Sequence, residues 1–186
     1  MIKTSLLLLV FNGENYINRA LISVYNQTIK LDEVIIVNDA SNDQTTKIIE
    51  KWLDRLPIKI IHNEKNLGTF ASLKKGVLNC SGDLIFRIDH DDEWNNNHVE
   101  EIIKLYYEDK DAKLFASKAI YLDEDFSFIK YSRHISDKDI RKYLLWDNPI
   151  VQSSTAFFKK DFIYLNRSTD LYYCEDYDLW IRLLNI

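Results

Sequence analysis

Four short apolar runs, each ending at a polar turn, constrain this chain more than any other feature. They are "SLLLLVF" (Ser5–Phe11), "EVIIV" (Glu33–Val37), "IKIIH" (Ile58–His62) and "LIFRI" (Leu84–Ile88). Their near-continuous apolar character predicts strands covered on both faces, the mark of a parallel sheet. Between them apolar residues recur with a helical period. Ile17, Leu21, Val24 and Tyr25 share one face of a first helix, and Ile48, Ile49, Trp52, Leu53 and Leu56 one face of a second. Phe70, Leu73, Val77 and Leu78 do so in a third. Ser41-Asn42-Asp43-Gln44 has the Ser-x-x-Gln form of a capping box, predicted to start the second helix. Gly82 is predicted to mark the exit from the third. This alternation predicts an α/β fold over residues 1–105, with a mostly parallel central sheet, helices on both faces and right-handed crossovers.

After about residue 110 the rhythm loosens. "AKLFASKAIYL" and "FSFIKYS" are predicted to pair as strands, "SDKDIRKYLLW" to form a short capped helix and "STAFFKK" a further strand. "CEDYDLWIRLLNI" starts acidic and continues as a helix. With only Pro57 and Pro149 and no low-complexity tract, no linker is predicted; residues 106–186 are the second half of one domain.

Composition removes several function classes. The formal net charge is −5, so no broad basic face awaits nucleic acid. Cys80 and Cys174 form no CxxC and have no histidine at metal spacing, which predicts two reduced thiols and a cytoplasmic protein. The apolar run Leu6–Phe11 is shorter than the ~7–15 residues of a signal-peptide core. The glycines at 13, 68, 76 and 82 make neither GxGxxG nor GxxxxGK[ST], so phosphates need another holder.

In an open parallel sheet, ligands bind beyond the carboxyl ends of the strands. The residues there are Asn12-Gly13, Asn38-Asp39, Asn63 to Gly68, and Asp89 to Asp92, all from polar, small or acidic turns. A divalent cation bridging carboxylates and diphosphate oxygens fits such an edge. Two other readings of "DHDDEWNNNHVE" stand beside it. Asp89, Asp91, Glu93 and Glu100 fall at positions 1, 3, 5 and 12 of a calcium loop, yet Trp94 occupies the turn position that needs glycine. The plainer reading is an acidic surface turn without a ligand.

The blocks "SLLLLVFNGENYINRALISVYNQT", "EVIIVNDASNDQT", "NEKNLGTFASLKKGVLNCSGDLIFRIDHDDEW" and "CEDYDLWIRL" together resemble the family 2 glycosyltransferases of the GT-A fold. The resemblance covers nearly the whole chain except about residues 110–147. It implies inverting transfer of a sugar from a nucleotide-sugar, usually a UDP-sugar, with Mn²⁺ or Mg²⁺ as cofactor. By the same resemblance Asp39 contacts the uracil ring, and Val10, Phe11 and Asn12 flank base and ribose. Gly68 and Lys74 join the donor-contacting set. Asp89 and Asp91 match the DxD motif that binds ribose and metal, with Asp91 or the following Asp92 as direct metal ligand. Asp176, with Glu175 beside it, matches the general base. The implied acceptor is a saccharide or lipid-linked saccharide in cell-surface polysaccharide or lipooligosaccharide synthesis. The implied setting is the inner face of the membrane, with peripheral membrane association.

That division of labour suits the reaction. A metal neutralises the departing diphosphate without a proton, and a carboxylate on the opposite face takes the proton of the acceptor hydroxyl. The bland alternatives are turn capping for Asp39 and helix-dipole placement for Glu175 and Asp176. Trp94 and Trp180 are predicted as core, and His90 and His98 as packed or exposed rather than ligating. The chain departs from the family pattern at Leu9, Asn38, Leu73-Lys74 and Val151-Gln152-Ser153-Ser154. It also stops soon after the helix that begins near Glu175. Against the enzyme reading stands a catalytically inactive nucleotide-sugar-binding module, or a truncated fragment of such an enzyme.

Overall fold

The first apolar run becomes the centre of the sheet because neither of its faces can reach water. All seven residues of β1 (Thr4–Val10) are buried. The computed structural model describes residues 2–123, 125, 127–133, 135–136, 139–165 and 174–184. After β1 come α1 (Ile17–Tyr25), β2 (Glu33–Asn38), α2 (Thr45–Glu50), β3 (Ile58–His62), α3 (Thr69–Asn79), β4 (Leu84–Asp89) and α4 (His98–Glu108). The later elements are β5 (Leu114–Ala116), β6 (Ile120–Leu122), β7 (Phe128–Tyr131) and α5 (Ile140–Tyr143). A 3-10 turn (Gln152–Ser154), β8 (Thr155–Phe158), α6 (Lys159–Leu165) and α7 (Glu175–Leu183) complete the order.

The six-stranded sheet runs β3-β2-β1-β4-β8-β5. β1 to β4 are mutually parallel, whereas β8 lies antiparallel to both β4 and β5. Alternate residues of the apolar strands feed two cores. Leu6, Leu8, Val34, Ile36 and Phe86 pack with Ile17, Leu21 and Val24 of α1 and Val99 and Ile102 of α4. On the other face Leu7, Leu9, Ile35, Val37 and Ile85 pack with Leu73 and Val77 of α3 and Leu179, Trp180 and Leu183 of α7. Helices therefore cover both faces, as the continuous apolar runs require.

Register decides where the loops go. Val10 pairs with Asn38, Asn38 with His62, and Leu9 with Asp89. The ends of β1, β2, β3 and β4 are thereby level, and their turns emerge side by side.

Several local expectations fail for identifiable reasons. The capping box does not form: α2 starts at Thr45, and no side chain caps it. Ser41 Oγ instead accepts the Asn12 N–H, so the residue is used between loops and not within one. Gly82 is not the residue at which α3 ends either, since α3 ends at Asn79 with Cys80 as its C-cap. A Cβ on Gly82 would sit 2.7 Å from the Ser5 nitrogen, so the residue is needed for close approach to β1. Tyr25, Leu53 and Leu78 lie on predicted buried faces but are exposed. "AKLFASKAIYL" divides: β5 joins the main sheet, and β6 pairs with β7 as a separate hairpin. α4 and α6 lie outside the predicted elements; α4 buries only His98, Val99 and Ile102, a weak period.

Trp94 and Trp180 are core residues, as predicted. So is His98, whose ring lies 4.5 Å from that of Trp94. Cys80 and Cys174 are free thiols. Burial, aided by the Glu33 charge, pushes the Cys80 thiol up to about 12, so it is inert as a nucleophile.

Candidate functional site

The turns after β1 and β2 are stitched into one surface. Asn42 N–H donates to Asn12 Oδ1 at 3.0 Å, Gly13 N–H to Thr45 Oγ1 at 2.8 Å and Glu14 N–H to Asp43 Oδ2 at 3.0 Å. Asn12 and Ala40 both take left-handed backbone conformations, with φ of 52° and 64°. Such strain in non-glycine residues persists only where surrounding bonds impose it, and it gathers at functional turns. A Cβ on Gly13 would lie 2.6 Å from the His90 ring, so this glycine lets the acidic loop close onto the end of β1. Val10 is buried beneath that junction, and Phe11 is exposed at its rim.

Asp39 is nearly covered and organises the third turn. Its Oδ1 accepts Asn63 Nδ2 at 2.7 Å and the Leu67 N–H at 2.9 Å, and its Oδ2 accepts the Gly68 N–H at 2.9 Å. A carboxylate offers about four acceptor positions, so one is left. Gly68 takes φ 81° immediately before α3, a conformation glycine adopts without strain. Lys75 reaches Asn63 Oδ1 at 2.7 Å, whereas Lys74 stands exposed on the preceding position of α3. The predicted Asp39, Gly68 and Asn12 thus share one edge, whereas Lys74 lies further along α3.

The acidic loop divides its own charges. Glu93 pairs with Arg19 of α1. Asp89 is held from three sides: Gln152 Nε2 donates to its Oδ2 at 2.6 Å, Ser153 Oγ accepts its N–H at 2.9 Å, and Arg87 Nη2 stands 3.6 Å from its Oδ1. Among the described residues Asp91 and Asp92 have no ion-pair partner. Although Asp92 is exposed as a residue, burial of its carboxyl raises its pKa, reinforced by Asp91 and Asp89 and opposed by the Ser153 hydrogen bond. This surplus of carboxylate charge, with oxygen-only donors, fits Mg²⁺ or Mn²⁺, which take one or two carboxylates and complete their shell with phosphate oxygens. Among the described residues no three His, Cys, Asp or Glu side chains form a closed cage by themselves. The calcium-loop reading fails, because the strand β4, and not a helix, precedes the loop and Trp94 is buried.

Asp176 opens α7. Asn148 Nδ2 donates to its Oδ2 at 3.1 Å, and the Tyr177 N–H to its Oδ1 at 2.7 Å. The side chain of Glu175 lies outside the described residues.

Sequence reasoning gave Arg87 no role and marked Gln152 and Ser153 only as departures from the family pattern, not as partners of Asp89. Arg87 is fully buried, and its Nε, Nη1 and Nη2 have no hydrogen-bond partner among the described residues. Its signal was present: an arginine within a strand covered on both faces is out of place. Gln152 and Ser153 became visible only when β8 returned beside β4. A cavity of about 490 Å³ lined by Ile2, Asp83, Tyr106, Tyr107, Phe158 and Lys160 lies away from this chemistry, where β1 and β4 begin. Among the described residues no helix is long and apolar enough to cross a membrane.

The family model for glycosyl transferase family 2 matches residues 5–165, through the stitched turns and the acidic loop alike. The amylovoran biosynthesis glycosyltransferase AmsE of Erwinia amylovora is 28% identical over 185 residues, covering 98% of this chain and 70% of its own. The UDP-Gal:alpha-D-GlcNAc-diphosphoundecaprenol beta-1,3-galactosyltransferase of Escherichia coli is 30% identical over 190 residues, covering 98% of this chain and 68% of its own. S. aureus TarS 1-349 in complex with UDP superposes with a TM-score of 0.77 at 21% identity, over 99% of this chain and 56% of that one. The mannosyltransferase PcManGT from Pyrobaculum calidifontis, in complex with GDP-Man and Mn²⁺, gives 0.75 at 16% identity, over 98% and 52%. The chain thus spans little more than half the length of these solved proteins. Superposition to this extent over nearly the whole chain shows that the fold is the GT-A fold. Because the sequence match runs through most of the chain as well, this protein belongs to glycosyl transferase family 2.

Proposed function

We propose that the chain transfers a sugar from a UDP-sugar to an acceptor hydroxyl, with inversion and with the help of Mn²⁺ or Mg²⁺. The observation that carries this reading is the pair of unpaired carboxylates, Asp91 and Asp92, beside the tethered Asp89 at the level ends of four strands. Asp39 offers its one remaining acceptor position to the N–H of the base, between Asn12 and Gly68. Asp89, oriented by Gln152 and Arg87, faces the ribose, and Asp91 and Asp92 hold the cation. When bound, that cation neutralises the diphosphate as it leaves. Asp176, held by Asn148, takes the proton of the acceptor hydroxyl while its oxygen bonds to the anomeric carbon. The bond from that carbon to the diphosphate oxygen breaks, and its electron pair leaves with the UDP.

The name of the E. coli relative states a diphosphoundecaprenol-linked acceptor, and that of the Erwinia relative a polysaccharide pathway. We carry both classes over: a lipid-linked saccharide acceptor, in cell-surface polysaccharide synthesis, met by a cytoplasmic protein at the inner face of the membrane.

Calorimetric titration of UDP with and without Mn²⁺ tests the donor site. Binding should need the metal and vanish in Asp91→Ala; UDP that fails to bind with metal present sinks the reading. Asp176→Asn should keep UDP binding and lose about 10²–10⁴-fold in kcat. An unchanged kcat would remove Asp176 as the base.

A further inference from the structure

A second, smaller cavity of about 200 Å³ lies between the base of the β6–β7 hairpin, the 149–150 segment and the end of α7. Its rim carries Lys118, Arg133, Ser117 and Ser132, and Pro149 and Ile150 form part of its apolar wall. At this size it suits a headgroup better than a nucleotide, since pockets for drug-sized ligands run to about 300–1,000 Å³. We propose that this cavity binds the diphosphate of a saccharide-diphosphate-lipid acceptor, with the β6–β7 hairpin carrying the start of its hydrocarbon tail. The proposal rests on the transferase reading above and adds the acceptor side to it.

Charge is the first support. In a chain of net charge −5, Lys118 and Arg133 share one cavity, and among the described residues neither has a carboxylate partner. Arg133 stacks on Tyr143 at 5.0 Å, which steadies the guanidinium and leaves its donors unspent. Ser132 Oγ accepts the Ala119 N–H at 2.8 Å, so its own proton is available to a phosphate oxygen.

The hairpin is the second. All seven residues of its two strands are exposed, with Ile120, Leu122, Phe128, Ile129 and Tyr131 among them. Just past α5, Leu145 is 62% and Trp146 86% exposed. Exposed apolar area of this extent marks a binding surface. The hydrophobic effect is non-directional, so a hydrocarbon tail can lie along so narrow an apolar ribbon. Lys130 lies over the Tyr121 ring at 5.2 Å, a cation beside an aromatic with a polar tip, as suits the border between tail and headgroup.

Order along the surface is the third. Asn148 holds Asp176, and its chain neighbour Pro149 lines the cavity. The proposed base and the cavity are thus joined through adjacent residues, as the acceptor sugar is joined directly to its diphosphate.

Farnesyl diphosphate, titrated calorimetrically into the whole chain without divalent metal, is the probe. Inorganic pyrophosphate, farnesol and phosphatidylglycerol vesicles are its comparators. Wild type should bind farnesyl diphosphate more tightly than any of the three. Lys118→Gln/Arg133→Gln should weaken it about tenfold or more, the scale of one lost charged hydrogen bond. Phe128→Ser/Ile129→Ser should weaken farnesyl diphosphate and leave pyrophosphate unchanged. Equal binding by either variant and wild type overturns the proposal. So does farnesol, pyrophosphate or the vesicles matching farnesyl diphosphate. Both variants alter exposed side chains, and Mn²⁺-dependent UDP binding measured on them keeps the donor reading separate. Loss of UDP binding in wild type would sink that reading while leaving the diphosphate result legible.

Discussion

β1 and the β6–β7 hairpin are built from similar apolar residues and meet opposite fates. Every residue of β1 is buried, whereas all seven residues of the hairpin's two strands are exposed. The difference lies in neighbours. β1 has a parallel strand on each side and helices above and below. β6 has β7 alone, and a two-stranded ribbon cannot bury either face by itself. Apolar sequence thus marks a surface that needs covering, and the fold decides whether the chain or a ligand covers it.

The sharpest way to break this comparison is paired truncation. Leu8→Ala in β1 should cost about 2–5 kcal/mol, the range for a large core residue cut to alanine. Ile129→Ala in the hairpin should change stability by less than about 0.5 kcal/mol. Urea unfolding of both variants reads this directly, and similar losses would show that the hairpin is packed in solution.

Helix α4, packed against the β1–β4 sheet, should also carry an acid-sensitive element. Burial lowers the pKa of His98 to about 4, from an ordinary value near 6.5. The unfolded chain therefore binds a proton that the native state refuses between those values. Stability is unaffected above about pH 6.5 and falls by about 3 kcal/mol as pH drops towards 4. His98→Leu should flatten that part of the urea-midpoint profile; a profile with the same slope would show that His98 is not the cause.

A smaller effect separates stability from function at Arg87. Its buried nitrogens lack hydrogen-bond partners among the described residues, so Arg87→Met should be neutral or stabilising in thermal melts. Asp89 loses the cation at its back, and UDP binding with Mn²⁺ should weaken by about tenfold, the worth of one charge-assisted contact. A destabilised variant with unchanged UDP affinity would make Arg87 a packing residue.

Much of the site was legible because strand-end turns are short and their residues must lie near the edge. Asn12, Asp39, Gly68, Asp89 and Asp91 could be placed from the four apolar runs alone. What escaped depended on returns of the chain. Gln152 and Ser153 reach Asp89 only because β8 turns back antiparallel to β4. Ser41 reads as a helix cap by local rules, yet it bonds Asn12 across two turns. Asp39 reads either as a base contact or as a turn cap, and in the fold three of its acceptor positions hold Asn63, Leu67 and Gly68.

By itself the sequence determined the α/β class, the parallel strands and the edge that gathers the acids, because periodicity and strand-end chemistry are local properties, and its motif blocks carried the resemblance to the family. Only the tertiary structure decided which carboxylates are spent and which are free. It also left Arg87 buried behind Asp89, and brought Lys118 and Arg133 into one cavity beneath an uncovered hairpin. Those outcomes depend on distances between residues far apart in the chain, and a one-dimensional pattern carries no such distances.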